Sequence, residues 1–64
     1  MRSPRKARTA NNLGYAYALA CRDAEALVQF SRAVTLDPAD SRARVNRRLL
    51  EEGMLFRDGE RHCR

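Results

Sequence analysis

Residues 12–37, NLGYAYALACRDAEALVQFSRAVTLD, followed by Pro38, decide the fold of this chain. Upstream of Cys21 the apolar set Leu13, Ala16, Tyr17 and Ala20 recurs at steps of three and four residues, one stripe of an amphipathic helix. Downstream, Ala26, Leu27, Phe30, Ala33 and Val34 repeat the pattern. Between them stands Arg22-Asp23, and an Asp just ahead of an apolar-periodic run marks a helix start, its carboxylate accepting from the unpaired N–H groups of the first turn. Two helices joined by so short a link run antiparallel. Gly14 and Ala26 then fall where the backbones cross closely, with Tyr17 and Phe30 supplying the bulk around the crossing. Asp37-Pro38 ends the second helix, because proline disfavours helical geometry at the residue before it.

Counted from Ala10, the spacing is A-x2-Leu13-Gly14-x2-Tyr17-x8-Ala26-x3-Phe30-x2-Ala33-x4-Pro38. This string resembles the tetratricopeptide repeat (TPR), a helix–turn–helix unit of about 34 residues. Two positions depart from the pattern. Ala10 replaces the opening Trp, and Cys21 stands in the turn where the repeat usually carries a Gly able to adopt a left-handed conformation, so that turn is expected to be strained. The resemblance implies a non-enzymatic protein-protein interaction module, a scaffold or adaptor whose first helices line a groove for a peptide or helix. It carries the groove role onto Arg8, Asn11, Asn12, Tyr15 and Leu19, then onto Arg42, Val45, Asn46 and Leu49. Helical geometry agrees, since Arg8, Asn12, Tyr15 and Leu19 share a face opposite the stripe that packs on the second helix. Some members of the family grip a C-terminal carboxylate with Asn and basic side chains. The Arg8/Asn12 and Arg42/Asn46 pairs are similar in kind, because guanidinium and amide donors suit a carboxylate.

A third helix is predicted from residue 41 to residue 56 or 57, with Asp40 as its cap. Val45, Leu49 and Phe56 lie on one side, Ala43, Leu50 and Met54 on the other, with Asn46 between. That apolar arc is wider than contact with one neighbour requires, so a further element is expected to dock there. Self-association through Val45, Leu50, Met54 and Phe56 is the expectation, because repeat units depend on neighbours and one and a half repeats bury little. The alternative is a longer repeat array of which this chain is the terminal piece. Arg47, Arg48 and Glu51 stand where a second Leu, Gly and Tyr would belong, which makes this helix the capping type. The expected organisation is therefore all-α: a basic flexible segment at 1–8, a TPR-type antiparallel helical hairpin at 9–38, a C-terminal capping helix at 39–57 and a flexible tail at 58–64.

Thirteen basic residues against eight acidic ones give the 64-residue chain a net charge of +5, which favours anionic partners. The expected ligand is accordingly a protein or peptide that is acidic or ends in a carboxylate. The alternative reading is a basic nucleic-acid-binding helical protein, using Arg42, Arg44, Arg47 and Arg48. It is weakened by the absence of nucleic-acid motifs and by the four-residue pairs Arg47/Glu51 and Arg48/Glu52, which describe a solvated face. No enzyme is expected: His62 is the one histidine and falls in the tail, remote from any base or nucleophile. Cys21, His62 and Cys63 lack metal-ligand spacing, and the isolated glycines form no phosphate cradle, so neither a metal nor a cofactor is expected. The first eight residues have neither the apolar core of an export signal nor the length of a membrane span. With two cysteines and no export signal, a reducing cytoplasm and free thiols are expected.

Overall fold

The computed structural model describes residues 3–61 and residue 63. Three helices follow in order, α1 (Pro4–Leu19), α2 (Asp23–Leu36) and α3 (Arg42–Glu51), and no strand occurs among the described residues. Helices α1 and α2 form the principal pair, and α3 packs mainly on α2 while touching α1 along one edge.

The α1/α2 contact is built on Gly14. A Cβ at that position would lie 2.7 and 2.8 Å from Cδ1 and Cε1 of Phe30, and 3.2 Å from the carbonyl oxygen of Ala26. Only a residue without a side chain lets the two backbones meet over the Phe30 ring. Phe30 is the largest fully buried side chain and cannot swing aside without disturbing Ala18, Ala26 and Leu50, which pack around it. A second layer consists of Ala10, Ala33 and Ala43, one from each helix, with Val34 and Leu36 at its margin. Ala10, at the position where a Trp was to be expected, is part of this close approach of three helices. The molecule is long and thin, 38 by 16 by 15 Å, so few residues lie far from a surface and the core is built largely of alanine.

The turn after α1 uses a left-handed residue that is not glycine. Cys21 has φ of 65°, its N–H donates to the carbonyl of Ala18 at 3.0 Å, and the N–H of Arg22 donates to the carbonyl of Tyr17 at 2.9 Å. This pair of bonds is a Schellman closure. The end of α3 repeats it with Gly53, φ 71°, where Gly53 and Met54 donate to the carbonyls of Leu50 and Leu49. Glycine accepts this conformation freely, whereas a residue with a Cβ pays about 1–2 kcal/mol. The expected strain at Cys21 is therefore present as backbone geometry.

Several boundaries differ from expectation. Helix α1 begins at Pro4, so most of the segment predicted to be flexible is helical; Pro suits the first helical turn, and the N–H of Ser3 donates to the carbonyl of Leu36 at 2.8 Å, tying the start of α1 to the end of α2. Helix α3 stops at Glu51 rather than at residue 56 or 57, because the Gly53 turn redirects the chain. Asp23 does not cap α2. It is the first helical residue, and its carboxylate accepts from Arg61 at 2.7 Å instead.

The tail departs furthest from its predicted looseness. Leu55 and Phe56 pack against the Ala18, Ala26, Phe30 and Leu50 cluster, and Cys63 is disulfide-bonded to Cys21 with their Cα atoms 5.5 Å apart. The expectation of two free thiols is corrected, and with it the argument from thiols for a reducing compartment. The bond spans 42 positions of sequence, a loop whose closure is worth about 4 kcal/mol on the chain-entropy account. In so small a chain, where burial and entropy nearly cancel, that is a large share of the total.

Two substitutions test this arrangement. Gly14→Ala gains about 1 kcal/mol of helix propensity but incurs about 1–3 kcal/mol of overpacking against Phe30. We expect a melting temperature by circular dichroism that does not rise for Ala and near-complete unfolding for Leu; a rise for Ala or an unchanged melting curve for Leu would contradict the crossing. Cys21→Gly should lower the melting temperature of the oxidised protein through loss of the disulfide. In excess reductant the same variant should melt higher than the reduced parent, because the left-handed strain is relieved.

Candidate peptide-binding face

One edge of the molecule, formed by α1 and α3 and closed by the tail, collects most of the residues singled out from sequence. At its upper end Arg8 and Arg42 line one cleft of about 300 Å³, together with Pro4, Arg5, Asp37 and Asp40. Arg8 is exposed and has no ion pair among the described residues. Arg42 is engaged: its Nη2 lies 2.6 Å and its Nε 3.0 Å from Oδ2 of Asp40. The backbone N–H of Arg42, the first residue of α3, donates to Oδ1 of the same carboxylate at 3.0 Å, so Asp40 anchors the helix start from one residue outside the cap position predicted for it, which Ser41 occupies. The guanidinium, and after it the backbone N–H, hold the Asp40 carboxyl down to about 2 from 3.8.

Midway along the face Nδ2 of Asn46 donates to Oδ1 of Asn11 at 3.1 Å, linking α3 to α1. The amide that meets Asn46 is thus Asn11, while Asn12 is exposed beside it. At the lower end the ring of Tyr15 meets that of Phe56, with centroids 5.3 Å apart and planes inclined by 51°. Leu19 is exposed near the turn, and Leu49 is half-buried.

The four residues expected to mediate self-association separate into two kinds. Val45 and Met54 are exposed, but Leu50 is buried in the intramolecular core and Phe56 is half-buried on Tyr15. The wide apolar arc of the third segment is thus covered in part from within the chain, because the Gly53 turn folds Leu55 and Phe56 back onto the cluster containing Leu50. Leu50 and Phe56 are corrected from an association surface to core and near-core positions.

Arg61 is the functional candidate that sequence reasoning missed. Its Nη1 donates to the carbonyl of Ala18 at 3.0 Å and to Asp23 at 2.7 Å, and its guanidinium carbon lies 5.0 Å from the centre of the Phe56 ring. No periodicity marks a residue in an irregular tail; the pair of cysteines was the one available signal. The basic cluster of α3 is largely neutralised, Arg42 by Asp40, Arg47 by Glu51 at 3.8 Å and Arg48 by Glu52 at 2.9 Å, leaving Arg44 exposed. Arg47 also donates to Ser31 on α2 at 3.3 Å. His62 lies outside the described residues. Among the described residues, no cluster of three or more His, Cys, Asp or Glu side chains suited to a metal ion occurs, and no helix is long and apolar enough to cross a membrane.

The geometry defines an all-helical chain with a polar-to-aromatic face along α1 and α3. Comparison with protein-family models, with curated proteins and with solved structures finds no match.

The Asp40 carboxyl supplies a pH test. Its depressed value means that the contribution of this anchor is complete above pH 3.8 and is lost as the pH falls through about 2. The amide resonance of Arg42 should titrate with a midpoint near 2, and Arg42→Ala should raise the midpoint without fully restoring 3.8, since the backbone donor remains. A midpoint at 3.8 in the unmodified protein would rule out the anchor.

Proposed function

We propose that the chain is a non-enzymatic protein-interaction module of the TPR type, comprising one and a half repeats, that receives a peptide along the α1/α3 face. The observation that carries this reading is the helix crossing. The residues of the repeat pattern that must be small or aromatic, Gly14, Ala26 and Phe30, are the ones in contact where α1 meets α2. That the small and aromatic residues of the pattern converge on one close contact supports the reading.

The partner that the face suits is acidic or ends in a carboxylate. Arg8 and Arg42 stand one repeat length apart in sequence and border the same cleft, with Arg5 beside them. Planar guanidinium groups offer a carboxylate two parallel N–H donors. Arg42 is already occupied by Asp40, so an incoming carboxylate competes with that intramolecular partner, whereas Arg8 is free to engage it directly. Asn12 and the half-buried Asn11/Asn46 pair lie further along the same face and supply amide groups for a peptide backbone.

Fluorescence anisotropy with a labelled acidic octapeptide bearing a free C-terminal carboxylate tests the reading. Arg8→Ala and Arg42→Ala should each weaken binding about tenfold to a hundredfold, the worth of a charge-assisted hydrogen bond. Asp40→Asn should strengthen it by releasing Arg42. Arg32→Ala, on α2, should leave it unchanged. Equal losses for all three arginines would reduce the effect to general electrostatic attraction and remove the groove.

A further inference from the structure

Residues 54–61 leave the end of α3 and return to the turn of the hairpin, where Cys63 is bonded to Cys21 and the segment is held as a ligand is held. Leu55 and Phe56 pack on the apolar cluster, and the Phe56 ring lies against Tyr15. The Arg61 guanidinium stands over that ring, 5.0 Å from its centre, and one of its nitrogens donates both to the Ala18 carbonyl, at the negative end of the α1 dipole, and to the Asp23 carboxylate. These are an aromatic anchor and a cation, each with a receptor group supplied by α1 or α2.

An open pocket of about 270 Å³ lies within the loop of the segment itself, bordered by Leu50 and Gly53 at the end of α3 and by Leu55, Phe56, Arg61 and Cys63 among others. Outside the apolar cluster the non-covalent hold is one ring contact and one guanidinium, and the Cys21–Cys63 bond is the firm attachment. Cys63 is exposed and Cys21 half-buried, so the bond lies near the surface.

We propose that residues 54–61, held by Cys63, are a tethered self-ligand. Tyr15, Ala18 and Asp23, at the hairpin turn that adjoins the face, form a binding site for a peptide carrying an aliphatic-aromatic pair with an arginine five residues beyond it, and the Cys21–Cys63 disulfide keeps the chain's own segment in it. This rests on the α1/α3 face being a peptide site, and adds the chemistry of one subsite and its control. A small dithiol opens the latch. One of its thiolates attacks a protein sulfur and breaks the S–S bond, and its second thiol then displaces the mixed disulfide. The reductant leaves as a cyclic disulfide, having delivered two electrons and two protons to give the Cys21 and Cys63 thiols. The freed segment still competes through its peptide link to Gly53, at an effective concentration of millimolar order, so opening is graded rather than complete.

The test uses the full chain in four forms: oxidised, reduced with dithiothreitol, Cys63→Ser, and the disulfide-intact double variant Phe56→Ala/Arg61→Ala. The probe is a fluorescein-labelled peptide of sequence MLFRDGER, copied from residues 54–61. Trypsin cleavage after Arg57 reports release of the segment, and anisotropy reports occupation of the site. Reduction and Cys63→Ser should speed cleavage and raise probe affinity about tenfold over the oxidised chain. The double variant should show a similar gain in affinity while its cross-link preserves the fold, so loss of stability in Cys63→Ser does not blunt the test. A probe with Ala in place of its Phe should not bind. Equal affinity for the oxidised and opened forms overturns the latch. Failure of the probe on every form, while the acidic octapeptide still binds, overturns the subsite alone; failure of both peptides removes the peptide-binding face with it.

Discussion

The contact of Gly14 with Phe30 and the backbone of Ala26 sets the geometry from which the rest of the molecule follows. With no Cβ at Gly14, α1 comes close enough to α2 for a single phenylalanine ring to fill the space between them, and truncation of such a ring costs about 3–5 kcal/mol. The same closeness permits the layer of Ala10, Ala33 and Ala43, where three helices approach with no side chain larger than a methyl group. Widening the crossing would leave that layer without contact, so the two clusters stand or fall together.

A core of one fully buried aromatic ring and several alanines is a thin basis for stability in 64 residues. The chain adds local devices at each end. Ser3 bonds the end of α2, Asp40 gathers the backbone and guanidinium of Arg42, and the Cys21–Cys63 bond closes most of the chain into one loop. The last carries an internal cost, since Cys21 occupies a left-handed turn that a glycine would adopt without strain. A glycine there could not supply the sulfur that reaches Cys63. The strained backbone and the cross-link therefore share one residue.

The functional reading places polar and basic groups at one end of the α1/α3 face and an aromatic seat at the other. Both ends already hold an intramolecular occupant: Asp40 on Arg42 above, Phe56 and Arg61 on Tyr15, Ala18 and Asp23 below. Under the proposed function, binding on this face is an exchange of partners, so affinity depends on how firmly the internal ones are held as much as on what the ligand brings.

The all-helical architecture and the small residues at the crossing were legible in the sequence, because three-and-four spacing and the Gly14/Ala26 pair are local signals that need no knowledge of the rest of the chain. The left-handed turn at Cys21 was expected only through the resemblance to a repeat that usually carries a glycine there. Only the tertiary structure decided the fate of residues 54–61 and Cys63 and of the side chains they cover. The apolar arc containing Leu50 and Phe56 read as a surface for another copy, since helical periodicity records that a face is apolar and not what covers it. The Gly53 turn ended α3 early and returned Phe56 to Tyr15, Arg61 to Asp23 and Cys63 to Cys21. Those contacts join residues about 40 positions apart across an irregular segment, and no repeating spacing encodes such a pairing: it is set by where the hairpin, once formed, brings its turn relative to the end of α3.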